Sequence, residues 1–176
     1  MTGGAGADRY RFCPECGARL ALPGGDGPER PTCAQCGFVR YRNPAAGVAV
    51  VIRDDDGRVL MGRRSKGRYA GLWCIPCGFV EWDEDIRDAA VREFAEETGL
   101  EVTTGRVVAV HSNFHNPQQH TVGTWFEGTV TGGELHPADG ELDELAYVDP
   151  ASPPPLAFPT DALVLEQLAS EGPARR

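Results

Sequence analysis

The spacing of apolar residues changes along the chain, and each change marks a different kind of element. Gly47-Val48-Ala49-Val50-Val51-Ile52 is an unbroken, largely β-branched run, the pattern of a strand buried on both faces. Asp54-Asp55-Asp56-Gly57 interrupts it as a solvated turn, and Arg58-Val59-Leu60-Met61-Gly62-Arg63 returns as the expected hairpin partner. Residues 81–98 have the composition of a helix, with Gly99 placed to end it in the left-handed conformation. Strand signals resume over 107–114 and 120–130, joined by Asn116-Pro117, and a short strand is expected over 145–148. A closing helix follows, with Thr160 or Asp161 as its cap. Strands on both sides of a central helix, with a second helix at the end, predict an α/β sandwich.

The central helix is unusual in where it puts its charges. With Ile86 at zero and 100° per residue, Ala90 falls at about 40°, Phe94 at about 80° and Ala89 at about 300°. That is the face expected to pack on a sheet. Glu93, Glu96 and Glu97 fall at about 340°, 280° and 20°, overlapping the apolar face instead of opposing it. Like charges at i,i+3 and i,i+4 repel, and burial raises the cost. Hard oxygen donors crowded toward the inner side of a helix predict a divalent cation, Mg²⁺ or Mn²⁺. The alternative is a surface acidic patch held by i,i+4 pairs. Arg92 lies beside the three acids, and Glu84 in the preceding loop is the carboxylate placed to pair with it.

The six cysteines fall in three C-x-x-C pairs. Cys13-Pro-Glu-Cys16-Gly17 and Cys33-Ala-Gln-Cys36-Gly37 repeat the same turn, with 16 residues between Cys16 and Cys33. Two such turns present four thiolates as a tetrahedron, the geometry of a structural Zn²⁺ site, and the glycine after each pair permits the tight turn. The module resembles a zinc ribbon. Cys74-Ile-Pro-Cys77 has no partner pair and no βαβ context, so packing is expected there rather than redox chemistry.

A chain of 176 residues with 41% hydrophobic and 24% charged residues suits a soluble globular protein with a small appendage. The expected organisation is a flexible tail over 1–8, the ribbon over 9–42, an α/β domain over 43–172 and a second tail over 173–176. The longest apolar run, from Ala45 to Ile52, is far short of the roughly 20 residues a membrane span needs. Neither a basic nor an apolar leader region follows Met1, so a cytoplasmic location is expected. A net charge of −9 argues against broad binding to nucleic acid, and the ribbon's six arginines against three acids come to roughly +1 once zinc and its thiolates are counted. Arg63-Arg64-Ser65-Lys66-Gly67-Arg68 gathers four cations; Arg63 and Arg64, at a strand end, are the candidates for substrate phosphates, against the alternative of a solvated loop. His111, His115, His120 and His136 show no ligand spacing, and Trp73, Trp82, Trp125 and Phe126 are expected in the core or at its rim.

These residues carry a resemblance. Gly78-Phe-Val-Glu-Trp-Asp-Glu84, seven residues, then Arg92-Glu93-Phe94-Ala95-Glu96-Glu97-Thr98-Gly99-Leu100 resembles the Nudix box, G-x5-E-x7-R-E-U-x-E-E-x-G-U with U a bulky aliphatic residue. Residues 45–170 are similar to the family in strand and helix order, and some members carry a zinc ribbon. The resemblance implies a Nudix α/β/α sandwich with a mixed sheet. It implies hydrolysis of a nucleoside diphosphate linked to another moiety, of the dinucleotide or nucleotide-sugar type, such as ADP-ribose, FAD or NAD(H). On this sequence Glu93, Glu96 and Glu97 would hold the metals, Glu84 would brace Arg92, and Gly78 would open the loop for close approach. Phe94 stands at the aliphatic position. Cys77 replaces the usual glycine, where a backbone carbonyl joins the metal shell. Members acting on NADH carry a Ser-Gln-Pro-Trp-Pro-Phe-Pro run, whereas this chain reads Ser112-Asn113-Phe114-His115-Asn116-Pro117-Gln118.

A distal carboxylate also completes the site in relatives. Glu141 and Glu144 occupy the matching positions, with Glu141 favoured, and a helical turn would let both face one way. The implied partner is a small-molecule nucleotide, without membrane or nucleic acid, and a homodimer is left open. The competing reading is a nucleotide-responsive regulator, or a nucleic-acid binder, that uses the ribbon without catalysis.

Overall fold

Two knuckles with the same hydrogen bonding build the first unit of the structure, a computed structural model in which residues 10–23 and 25–171 are described. The tails expected at 1–8 and 173–176 lie outside the described residues. The chain divides into Met1–Asn43 and Pro44–Arg176. In the first unit, Cys13 N–H donates to Ala18 (2.7 Å) and Gly17 N–H to Cys13 (2.9 Å); Cys33 N–H donates to Phe38 (2.8 Å) and Gly37 N–H to Cys33 (2.9 Å). Gly17 and Gly37 take φ of 74° and 78°, a region that L side chains avoid. Strand β1 (Leu20–Ala21) pairs antiparallel with β2 (Thr32–Cys33). Among the described residues of this unit Cys13, Leu20, Pro31 and Cys33 are buried, and Ala18, Leu22 and Phe38 pack around Cys13, Leu20 and Cys33.

The second unit contains β3 (Ala45–Val51), β4 (Val59–Arg64), β5 (Trp73–Cys74), β6 (Cys77–Phe79), α1 (Ile86–Thr98), β7 (Leu100–Asn113), β8 (Thr121–Gly133), β9 (Leu142–Val148) and α2 (Pro159–Glu171). One sheet runs β6-β3-β8-β7 and a second runs β5-β4-β9. The first is mixed, because β3 and β8 are parallel while the other pairs are antiparallel. Alternation along β3 sorts its side chains between two cores. Val48 and Val50, with Ile52 just beyond, pack with Ala89, Ala90 and Phe94 of α1. Ala49 and Val51 pack with Val164, Leu165 and Leu168 of α2. The period of two of a strand thus puts one helix on each face, the expected α/β/α sandwich. Each fully buried side chain such as Phe94 or Leu165 contributes about 2–3 kcal/mol.

Several boundaries differ from the sequence pattern, each for a physical reason. The expected β3–β4 hairpin forms only at its turn, where Asp54 N–H donates to the Arg58 carbonyl at 2.9 Å. Arg53 bridges Val59 and Leu60 N–H reaches Ile52, but the strands then part into different sheets, since β6 and β8 occupy both edges of β3. The helix begins at Ile86, not at 81. Asp83 sits at φ 65°, the one positive-φ non-glycine residue among those described, and breaks the helical path; Asp85 then caps α1 by accepting from Arg87 N–H at 2.8 Å. Strand β7 starts at Leu100, seven residues earlier than the alternation indicated, because register shifts between Thr104 and Val107 break the period. Strand β9 includes Leu142–Glu144, so Glu141 and Glu144 do not share a helical turn. Trp82, expected in the core or at its rim, is 91% exposed on the loop before α1. Asp161 is buried near the start of α2, and its carboxylate accepts from Ile75 N–H at 3.1 Å.

Candidate active site

Helix α1 delivers its acids to one end of β6. Gly99, at φ 72°, ends the helix by donating to Ala95. The connection after β8 caps the last turn: Glu134, His136 and Ala138 N–H donate to Gly99 (3.2 Å), Thr98 (3.0 Å) and Glu97 (3.3 Å) carbonyls. This fixes the C-terminal end of α1, where Glu97 turns inward.

Arg92 is the hub of the outer part. Its Nε and Nη2 grip the two oxygens of Glu84 at 2.7 and 2.8 Å, and Nη2 also reaches the Phe79 carbonyl at 3.2 Å. Its Nη1 meets Glu93 at 2.9 Å and Glu96 at 3.1 Å. The two-pronged bond to Arg92 holds the Glu84 carboxyl down at about 2. Glu93 also accepts from Phe79 N–H at 3.2 Å, and Glu96 is the most exposed of the three helix acids.

Glu97 is different: it is 2% exposed and accepts Cys77 N–H at 2.7 Å. Burial, then the nearby Cys74 thiol, pushes its carboxyl up to about 9. The Cys77 thiol is raised well above its ordinary range by its interaction with Cys74 and then by burial, which makes it a poor nucleophile. The backbone of β6 is packed against the acids. A Cβ on Gly78 would fall within the Glu93 carboxylate, so the constraint is one of space and not of positive φ, and a side chain there would push the end of Glu93 aside. Gly78→Ala is therefore expected to move Glu93 off Phe79 N–H and Arg92 and to destabilise the protein by about 1 kcal/mol, measured by urea unfolding at neutral pH.

The basic candidates divide. Arg63 is held by Asp143 (2.8 Å) and Glu144 (2.7 Å) across the β4–β9 pair. Arg64 turns inward; its Nε is buried without a hydrogen-bond partner, and its charge acts on Glu97. The Glu141 carboxylate faces Arg64 (3.6 Å) and Lys66 (4.0 Å). Sequence reasoning passed over Asp139, whose charge also acts on Glu97 and whose carboxylate accepts Glu141 N–H at 2.7 Å. Its signal was its place in the same acidic segment, which the helix-capping connection brings beside α1.

Both expected metals can be tested against these residues. The thiols of Cys13, Cys16, Cys33 and Cys36 all lie within 4.8 Å of one another, with Cys13–Cys36 and Cys16–Cys33 at 3.5 Å. Four thiolates at about 2.3 Å from one Zn²⁺ stand roughly 3.8 Å apart, so the set fits zinc. The acids of α1 are not gathered as tightly. The fit there rests on donor chemistry: a buried Glu97 beside Cys77, a Glu93 carboxylate against Gly78, and the hard oxygens a divalent cation takes.

Comparison with known proteins agrees with this geometry. A sequence model of the NUDIX domain matches residues 43–168, and one described as Nudix N-terminal matches residues 11–42. The chain is 32% identical over 73% of its length to an ADP-ribose pyrophosphatase of Methanocaldococcus jannaschii, of which it covers 75%. It is 29% identical over 87% of its length to an NAD-capped RNA hydrolase NudC of Pseudomonas aeruginosa, but spans only 52% of that protein. A NUDIX hydrolase structure from Nitrosomonas europaea superposes with a TM-score of 0.74 at 27% identity, covering 95% of this chain and 97% of that one. Among the described residues, no helix is long and apolar enough to cross a membrane. With its box, its two-helix sandwich and its paired knuckles accounted for in turn, the chain belongs to the NUDIX family and carries that family's N-terminal zinc-ribbon module.

Proposed function

We propose that this chain hydrolyses the pyrophosphate bond of a nucleoside diphosphate linked to another moiety, with ADP-ribose as the first substrate to try and Mg²⁺ or Mn²⁺ as the catalytic ion. The observation that carries the reading is Glu97, a buried carboxylate that accepts the Cys77 N–H and, among the described residues, forms no ion pair, though the charge of Arg64 acts on it. The ADP-ribose pyrophosphatase of M. jannaschii supports the choice of substrate, since the chain matches three quarters of it. The capped-RNA hydrolases support it less, because the chain spans about half their length.

Glu93, Glu96 and Glu97 would hold the ion, with the Cys77 carbonyl beside them. The ion, when bound, neutralises pyrophosphate oxygens and lowers the pKa of the attacking water. The chain's own residues set the frame. Glu84 fixes the plane of Arg92, and Arg92 in turn orients Glu93 and Glu96. Arg64 offers its inward guanidinium to substrate phosphate, while Arg63 stays on Asp143 and Glu144.

Hydrolysis of ADP-ribose to AMP and ribose 5-phosphate, dependent on added Mg²⁺ or Mn²⁺, is the direct test; product analysis showing another bond broken would overturn it. The distal acid has its own test. Glu141→Gln is expected to lower kcat about tenfold while KM stays within about twofold. If Asp139→Asn is the damaging change instead, the role belongs to Asp139.

A further inference from the structure

Three separate connections bring an aromatic ring to one place. Tyr69 lies in the turn between β4 and β5, His115 in the connection from β7 to β8, and Phe158 just before α2. Tyr69 is 5.4 Å from both His115 and Phe158, and His115 is 5.5 Å from Phe158. Their planes cross at 64°, 67° and 50°, so none is stacked on another, and all three are only half-buried.

Two cations border the rings. The Arg64 guanidinium is 5.7 Å from the Phe158 ring and the Arg68 guanidinium 5.6 Å from the Tyr69 ring. Arg64 connects this cluster to the hydrolytic site, because the same guanidinium acts on Glu97 and leaves its Nε unpartnered. Positive charge is felt within the cluster: burial and then Arg68 lower the His115 pKa.

We propose that Tyr69, His115 and Phe158 seat the nucleobase of the substrate, and that Arg64 and Arg68 make this seat selective for a neutral base over a cationic ring. The proposal rests on the hydrolytic reading above and deepens it. Aromatic faces hold any flat base, and stacking alone tolerates all of them. The flanking guanidinium groups supply the discrimination, since an adenine meets no repulsion there and a pyridinium ring meets two like charges. The half charged by phosphate is then held toward Arg64, with the anhydride directed at Glu97.

The test is equilibrium binding of AMP and of nicotinamide mononucleotide, whose ring is cationic, measured by calorimetry without added divalent cation. The wild-type chain should bind AMP at least tenfold more tightly. Tyr69→Leu and Phe158→Leu should each weaken AMP about tenfold or more, Tyr69→Phe should retain it, and Arg68→Gln, an exposed change, should narrow the preference at least threefold. Phe158→Leu should also raise KM for ADP-ribose with kcat held within about threefold. Equal binding of the two mononucleotides, no binding of either, or loss of AMP binding in Trp82→Ala but not in the leucine variants would overturn the assignment. No turnover enters the binding measurement, so a chain that hydrolyses ADP-ribose yet fails it keeps the proposed function. One that binds AMP as described but does not hydrolyse loses only that function.

Discussion

Replacing Glu97 by Gln is expected to lower Mg²⁺-dependent kcat on the order of 10³-fold while leaving the fold in place. Gln is isosteric and keeps an oxygen for the Cys77 N–H, so the 2.7 Å bond that fixes the carboxylate survives. What disappears is the negative charge that a divalent cation needs. A variant whose kcat stays within tenfold of wild type at saturating Mg²⁺ would remove Glu97 from the metal site. The same substitution has a signature in metal-free protein. The folded Glu97 carboxyl is raised to about 9, well above its ordinary 4.5, so between those values the folded chain holds a proton that the unfolded chain has released. Unfolding stability from this group therefore falls as pH rises through that window, by at most about 1.4 kcal/mol per pH unit. Glu97→Gln lacks the ionisable group, so its stability curve should be flatter across the window and cross above that of wild type on the alkaline side. Parallel curves would mean that Glu97 is not buried as described.

The second large effect belongs to zinc. The purified chain should hold one Zn²⁺, and Cys33→Ser should unfold the Met1–Asn43 unit while the remainder keeps its structure. The reason is the size of the core: the four buried residues described there, two of them cysteines, cannot offset the ordering of some thirty residues. Structural zinc supplies roughly 10–16 kcal/mol in modules of this kind, several times the stability of a small domain. Metal analysis combined with backbone NMR would read both parts. Substantially less than one zinc per chain in protein never exposed to chelator, or a zinc content halved by Cys74→Ser or Cys77→Ser, would overturn the ligand set.

Much of this was legible because it is local. A repeated C-x-x-C-G fixes two knuckles within five residues each, and i,i+3 and i,i+4 spacing fixes which acids of a helix are neighbours. Other features depend on partners remote in sequence. Nothing near Val59 tells that β6 and β8 will occupy both edges of β3, and that occupancy sends β4 to the other sheet. Asp83 stops the helical path through a backbone conformation that its composition does not announce. The site divides in the same way. Arg92 and Glu84 are eight residues apart and could be paired by inspection, whereas Asp139 reaches Glu97 only through a connection that caps α1. The fates of Arg63 and Arg64 were likewise set by β9, which draws Arg63 outward and leaves Arg64 facing the acids.

The parallel pairing of β3 with β8 has a consequence for how the molecule comes into being. Ala45 meets Thr121 and Val51 meets Glu127, a constant separation of 76 residues. Closing so long a loop costs little more than closing a shorter one, but it cannot begin until the far strand exists. During synthesis β3, an apolar strand with no charge in its span, waits for its central neighbour while β4 to β7 are still being made. Antiparallel β6 arrives first and covers one edge; the other stays open, a template for pairing with a second unfinished chain. The helix bearing Glu93 and Glu97 is made inside that interval, so its sheet floor closes only when β8 docks. Folding that depends on such distant pairing is slow, and Glu93 and Glu97 gain their complete surroundings only after β8 has been made.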